Sequence, residues 1–135
     1  MDTYKHIVQY YETDKMGITH HSNYIRWMEE ARVDFLKQIG WDYAKLEELG
    51  IISPVVEVNC KYRLSTTFAD EISVDVSVRE FKGIKLIIAY SMSNQEGKIV
   101  FEATSVHCFV DKNGRPIKLS RQLPEFDDLL KKLAE

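Results

Sequence analysis

The sequence predicts an α+β fold in which a curved antiparallel β-sheet is wrapped around one long central α-helix. The helix is indicated by residues 24–39, where apolar side chains recur at the spacing of one helical face. The sheet is indicated by residues 56–110, where apolar and polar side chains alternate with the period of two that half-buried strands show. Because parallel strands would each need a crossover helix between them, these strands are expected to pair antiparallel.

The size and composition of the chain limit what the protein can be. Its 135 residues suffice for one hydrophobic core, so a single domain over residues 1–135 is expected. The formal net charge is −3 and no basic block is present, which argues against nucleic acid as a partner. Residues 1–11 carry polar side chains where a signal peptide would be apolar, and no run reaches the length of a membrane span. A cytoplasmic protein without a transmembrane segment is therefore expected.

The N-terminal part of the chain is predicted to contain one strand followed by the long helix. Residues 4–11 alternate between two faces, as a strand does. The polar residues 12–23 interrupt this pattern and end in Ser22 and Asn23, both good helix N-cap residues. The helix is therefore expected to begin at about Asn23.

The long helix carries more apolar surface than a single face requires. Ile25, Val33 and Leu36 form a second apolar stripe beside the first. We therefore expect the helix to be covered well beyond one side. A shorter amphipathic helix is predicted over residues 43–49, closed by Gly50.

The remainder of the chain is predicted to form an antiparallel meander and a terminal helix. Cys60 and Cys108 lie within the apolar alternation and lack the spacing of a zinc or redox pair, so both are expected to be buried thiols. The predicted elements are strands at residues 56–63, 72–79, 84–93 and 98–110, and a helix from Pro124 to Leu133.

The segment that precedes the long helix carries the residues suited to chemistry. Asp14 and Gly17 lie within ten residues of the predicted helix start. The first N–H groups of a helix have no internal partner, and the helix dipole adds partial positive charge there. These groups can polarise a carbonyl within reach of the Asp14 carboxylate, an arrangement that suits acyl transfer.

From Tyr11 to Arg32 the sequence resembles the hotdog-fold thioesterases of the 4-hydroxybenzoyl-CoA thioesterase type, which include the acyl-CoA thioesterases associated with the Tol-Pal system. The resemblance extends over nearly the whole chain through the same order of strands and helix. It implies that Asp14 is the catalytic carboxylate, that the backbone N–H of His21 binds the oxyanion, and that Gly17 is the family's loop glycine. Asn23 and Tyr24 match the start of the central helix and are expected to contact substrate. The resemblance also implies a homodimer or tetramer with active sites at the dimer interface.

The sequence departs from the family pattern after the second strand. The family often has a proline near the position of Ser65, and this chain has none there. This difference bears on the loop shape and on the binding site for the thioester carrier. Arg79, Lys82 and Lys85 flank one turn, where they can meet the phosphates of coenzyme A or simply be solvated.

Two other arrangements of catalytic groups are open to these residues. His20 and His21 look like metal ligands. However, adjacent side chains on an extended segment point in opposite directions, and no third possible ligand lies at the spacing of a metal site. No metal site is therefore expected. A second hotdog pattern takes its carboxylate from the helix, where Glu29 is the nearest candidate. Carboxylates on a helix are more often solvated or paired, which places Glu29 second to Asp14.

The sequence therefore predicts a thioesterase that hydrolyses acyl-CoA to a free acid and coenzyme A. Asp14 acts as a nucleophile that forms a mixed anhydride or as a base that activates water. No cofactor is expected, because a thiolate is already a good leaving group and coenzyme A enters only as part of the substrate. Two alternatives are an acyl-carrier-protein thioesterase and a non-catalytic module that binds acyl thioesters.

Overall fold

The computed structural model describes residues 2–135 as a five-stranded antiparallel sheet with two α-helices between its first and second strands and two after its last strand. The sheet order is β1-β3-β4-β5-β2, and β1 pairs with β3 so that Tyr4 lies opposite Val74. The α+β class predicted from the sequence is confirmed. The strands are β1 (Tyr4–Ile7), β2 (Val55–Tyr62), β3 (Glu71–Phe81), β4 (Leu86–Ser93) and β5 (Ile99–His107), and the helices are α1 (Ser22–Gln38), α2 (Tyr43–Glu48), α3 (Leu119–Gln122) and α4 (Pro124–Leu133).

The N-terminal strand is shorter than the alternation of residues 4–11 predicted. β1 ends at Ile7, and residues 10–12 form a 3₁₀ turn. The physical reason is a local hydrogen bond, since the Glu12 carboxylate accepts the backbone N–H of Gln9 at 2.8 Å and so closes the turn. This turn brings the chain from β1 to the loop that precedes α1.

α1 begins within one residue of the predicted start and buries one face. The exposed fractions of Ile25 and Val33 are 45% and 42%, so of the predicted second stripe only Leu36 is covered. We expected the helix to be covered well beyond one side. In the single chain this expectation is wrong at Ile25 and Val33, which are exposed. The buried residues recur every three to four positions, as one helical face requires: Asn23, Tyr24, Trp27, Met28, Ala31, Arg32, Phe35 and Leu36.

β2 differs from the half-buried strand that the sequence predicted over residues 56–63. Its side chains are exposed on both faces except that of Cys60, which is half-buried. β2 is the last strand at one edge of the sheet, and within residues 2–135 neither of its faces is covered along its length. β3 and β4 lie inside the sheet, and their apolar side chains alternate between buried and less buried positions as predicted.

By its internal contacts the chain divides into two compact units. The expectation of a single domain over residues 1–135 stays a prediction. Unit 1 comprises residues 1–35, 60–76 and 90–103. Within it, aromatic side chains of α1 pack against strand residues, with the Tyr24 and Phe101 rings stacked at 4.9 Å between centroids. The buried Arg32 guanidinium also donates to the Tyr90 hydroxyl at 3.0 Å, which supplies a partner for one of its N–H groups.

Unit 2 comprises residues 36–59, 77–89 and 104–135. Its core includes the rings of Trp41 and Phe126, stacked at 4.9 Å, and Phe109, which meets Phe126 edge to face. α4 has the predicted bounds, with Pro124 at its first turn, where the missing N–H costs nothing. Cys108 and Cys60 are both half-buried. The expectation that both thiols are buried is therefore wrong.

Candidate active site

Asp14 begins a tight turn in unit 1. Its Oδ1 accepts the Met16 N–H at 2.8 Å, and its carbonyl accepts the Gly17 N–H at 2.9 Å. Gly17 has a φ of +81°, in the left-handed region that favours glycine. The Asp14 N–H in turn donates to the Ile18 carbonyl at 2.9 Å. These bonds hold the backbone and one carboxylate oxygen of Asp14 in a defined direction.

The residues that follow this turn form the entrance to α1. The His20 carbonyl accepts the Asn23 N–H at 3.0 Å, and the His20 Nδ1 lies 2.8 Å from the Ser22 hydroxyl, so His20 occupies a capping position. His21 comes directly before the first residue of α1. Within residues 2–135, the backbone N–H of His21 donates no hydrogen bond. We take it as the candidate donor to a substrate oxygen.

The two histidine rings do not point in opposite directions. Their centroids lie 4.3 Å apart, because His20 and His21 stand in the turn that enters α1 and not on an extended segment. The expected divergence of the two side chains is therefore wrong. In the part of the chain that the structure describes, no group of three or more histidine, cysteine or acidic side chains is arranged to hold a metal ion.

A cleft of about 280 Å³ opens beside this helix entrance. His21 and Tyr24 line it from the start of α1, and Tyr62 lines it from the end of β2. The Tyr62 hydroxyl donates to the His21 carbonyl at 2.9 Å, and the Tyr62 ring meets the Tyr24 ring edge to face at 5.2 Å between centroids. The cleft thus has aromatic walls at the start of α1.

The predicted substrate residues Asn23 and Tyr24 have different surroundings. Asn23 is buried, and its side-chain amide donates to the backbone carbonyls of Glu12 at 2.9 Å and His20 at 3.4 Å. Tyr24 is buried too, with its hydroxyl 2.9 Å from that of Thr66, and burial raises the pKa of its phenol. Tyr24 therefore stays neutral at neutral pH. It lines the cleft, whereas the Asn23 amide is engaged within the chain.

Glu12 is a buried charge that the sequence analysis missed. Only 4% of it is exposed, and its carboxylate accepts hydrogen bonds from the Gln9 N–H at 2.8 Å and the Trp27 indole at 2.7 Å, with the His6 Nε2 also at 2.8 Å. Burial alone would raise the pKa of this carboxyl, but the bonds from Gln9, His6 and Trp27 outweigh burial and leave it lowered. Glu12 follows Gln9 by three residues, but a capping box usually begins with Ser or Thr, so no signal in the sequence indicated this role.

The remaining predicted residues lie apart from this loop in the sequence. Glu29 is exposed on α1, whereas its neighbour Glu30 accepts the Tyr4 hydroxyl at 2.8 Å. Arg79, Lys82 and Lys85 belong to unit 2, where the Lys82 ammonium lies 3.3 Å from the Glu80 carboxylate. Lys82 and Lys85 are also joined by a backbone hydrogen bond of 3.1 Å across the turn. Their predicted contact with coenzyme A stays a prediction.

Comparison with known proteins gives consistent matches. The model of the thioesterase-like superfamily matches residues 8–133. A Bacillus subtilis protein provisionally named acyl-CoA thioesterase YneP is 35% identical over 88% of this chain and 87% of its own length. The acyl-CoA thioester hydrolase YbgC of Escherichia coli strain CFT073 is 24% identical over 87% and 86% of the two chains. The crystal structure of the DHNA-CoA thioesterase from Staphylococcus aureus superposes with a TM-score of 0.89 at 30% identity, covering 93% of this chain and 85% of that one.

None of the helices in the part of the chain described here is long and apolar enough to cross a membrane.

Proposed function

This chain belongs to the thioesterase-like superfamily and has its hotdog fold, and on that basis we propose that it hydrolyses acyl-CoA thioesters to a free carboxylic acid and coenzyme A. The resemblance stated from residues 11–32 is thereby confirmed at the level of the family. The observation that supports the proposed chemistry is the Asp14 turn, which precedes the entrance of α1, where His21 lines a cleft. A carboxylate and a hydrogen-bond donor for an oxyanion are the two groups that acyl transfer needs.

In the proposed reaction the thioester carbonyl oxygen accepts the His21 N–H at the positive end of the α1 dipole. This contact strengthens as negative charge develops on the oxygen, so it stabilises the transition state more than the substrate. The acyl group occupies the cleft lined by Tyr24 and Tyr62. The proposal brings the Asp14 carboxylate to the carbonyl carbon, and Gly17, with a φ of +81°, closes the turn in the left-handed conformation that favours glycine.

Asp14 then acts by one of two routes. As a general base it takes a proton from water while the water oxygen bonds to the acyl carbon. As a nucleophile it bonds to that carbon itself, and water later cleaves the mixed anhydride. In both routes the C–S bond breaks when the tetrahedral intermediate collapses, and coenzyme A departs as a thiolate. A thiolate is a good leaving group, so the proposal includes no metal or redox cofactor.

We also propose that the working protein is a homodimer or a tetramer. β2 is an edge strand whose apolar side chains Val55, Val56 and Val58 are exposed, and an uncovered edge of this kind readily pairs with another strand. The cleft of about 280 Å³ lies just below the range of about 300–1,000 Å³ that is usual for small-molecule sites. A second copy along β2 would cover the edge and enlarge the site. The cytoplasmic location stays a prediction.

The test is a hydrolysis screen with purified protein. Short aliphatic, long aliphatic and aromatic acyl-CoAs are supplied, and free thiol is followed with a chromogenic thiol reagent. Because Cys60 and Cys108 are free thiols, reactions without substrate measure the background. Turnover of at least one acyl-CoA is expected. Hydrolysis of acyl carrier protein substrates alone, or tight binding of acyl-CoA without any turnover, would refute the proposal in favour of one of the two alternatives.

A further inference from the structure

We propose that Glu12 is a positioning residue that joins the Asp14 turn to the entrance of α1 and so sets the geometry of the candidate active site. Glu12 stands two residues before Asp14 and is buried. It touches no substrate group in the proposed reaction, and it would act on the reaction through Asp14 and His21. The inference rests on the proposed thioesterase function for its effect on turnover.

The carboxylate of Glu12 connects three different elements. Its Oε2 accepts the indole N–H of Trp27 on α1 at 2.7 Å. Its Oε1 accepts the Gln9 N–H of the 3₁₀ turn at 2.8 Å and lies 2.8 Å from the Nε2 of His6 on β1. Both carboxylate oxygens are thus held from fixed directions, and hydrogen bonds to a charged acceptor are the stronger kind.

The backbone carbonyl of Glu12 makes a second connection. It accepts the His20 N–H at 2.8 Å and the Asn23 side-chain amide at 2.9 Å. His20 precedes His21, whose N–H is the proposed oxyanion donor, and Asn23 lies in the first turn of α1. One residue therefore fixes the chain immediately before Asp14 and the chain immediately before the oxyanion donor.

A further set of bonds holds the histidine partner of Glu12 in place. The His6 ring packs on the Trp27 ring at 4.7 Å between centroids, and its Nδ1 lies 3.3 Å from the Glu30 carboxylate. The Tyr4 hydroxyl donates to Glu30 at 2.8 Å, and the burial of Tyr4, together with this bond, raises the pKa of its phenol to about 12. The phenol therefore remains a donor across the working pH range.

The decisive variant is Glu12→Gln, which keeps the shape of the side chain. A glutamine has one acceptor oxygen and one donor amide, so it cannot accept from both Trp27 and Gln9, and one buried N–H is left unpaired. Because displacing a catalytic group by about 1 Å can cost about 100-fold in rate, kcat is expected to fall about 10- to 100-fold. KM is expected to change by no more than about threefold, since the variant leaves the walls of the cleft in place.

The matched control is Asp127→Asn, another change from a buried acid to an amide. Asp127 belongs to unit 2, where its carboxylate pairs with the Lys131 ammonium at 2.8 Å, and it makes none of the bonds described above. This control is expected to lower the melting temperature while leaving kcat unchanged. A fall in kcat confined to Glu12→Gln therefore separates positioning from general stability.

Hydrogen exchange gives a readout that needs no activity. In Glu12→Gln the backbone N–H of His20 is expected to exchange faster, because the Glu12 carbonyl that accepts it is no longer anchored. If Glu12→Gln does not fold, Trp27→Phe removes a single donor and is measured in its place. An unchanged kcat with unchanged exchange at His20 would overturn the inference. A wild-type protein inactive on every acyl-CoA refutes the proposed function instead, and exchange at His20 still decides the role of Glu12.

Discussion

The assignment of Asp14 can be tested by a single-atom change, Asp14→Asn. The Asp14 Oδ1 accepts the Met16 N–H at 2.8 Å, and an asparagine oxygen can accept the same bond. The backbone bonds that close the turn involve the Asp14 N–H and carbonyl, which the substitution does not alter. The free energy of unfolding is therefore expected to change by less than about 0.5 kcal/mol, as for other surface substitutions that keep their contacts.

The effect on the rate follows from the lost charge. An asparagine can neither take a proton from water nor attack the acyl carbon, so kcat is expected to fall about 10²- to 10⁴-fold. This corresponds to about 3–5 kcal/mol of activation free energy. Substrate binding should persist, because the His21 N–H and the walls of the cleft are unchanged. The assay is thiol release under saturating acyl-CoA, with thermal unfolding measured on the same preparations.

Glu29→Gln is the matched control, since it makes the same chemical change at an exposed position on α1. It is expected to leave kcat within about twofold of the wild type, because a solvated carboxylate contributes little. Near-normal turnover in Asp14→Asn together with a collapse in Glu29→Gln would refute the reasoning. The catalytic carboxylate would then lie on the helix, as in the second hotdog pattern.

Three further outcomes are expected. Val58→Asp places a charge on the exposed edge strand β2 and should shift the oligomer towards monomer in light scattering; an unchanged mass would show that copies associate elsewhere. Activity should survive exhaustive dialysis against a chelator, and loss that zinc restores would return His20 and His21 to consideration as ligands. Because the pKa of Glu12 is lowered in the folded state, its ionised form stabilises the fold above its ordinary pKa of about 4.5, and this contribution disappears as the pH falls further. The difference in melting temperature between wild type and Glu12→Gln should therefore be full at pH 7 and should shrink at acidic pH.

The parts of the fold that could be predicted are those where the residue pattern and the surroundings agree. α4 has the predicted bounds because Pro124 can begin a helix and the residues after it keep one apolar face. β3 alternates as predicted because it lies inside the sheet. The pattern of β2 is equally regular, yet its side chains are exposed. Periodicity shows which side chains are suited to burial, but it does not show whether other residues of the same chain pack over them.

The same limit applies to Ile25 and Val33, which form a regular stripe on α1 and are nevertheless exposed. Together with β2 they account for apolar surface that the single chain leaves uncovered. A monomer with such surface would be prone to association. Under the proposed homodimer or tetramer, a second copy would cover part of this surface, in line with the apolar pattern that predicted a helix covered well beyond one side.

Asp14 and Glu12 show which part of a site a sequence can reveal. Asp14 could be proposed because residues 11–32 resemble a family that carries its catalytic carboxylate at this position of the loop. The role of Glu12 depends on His6 and Trp27, which lie on opposite sides of it in the chain and meet only after folding. In sequence such a glutamate looks like one more polar residue in a loop. A buried carboxylate that accepts hydrogen bonds from three elements holds those elements in one geometry, and this is the physical reason to test Glu12 beside Asp14.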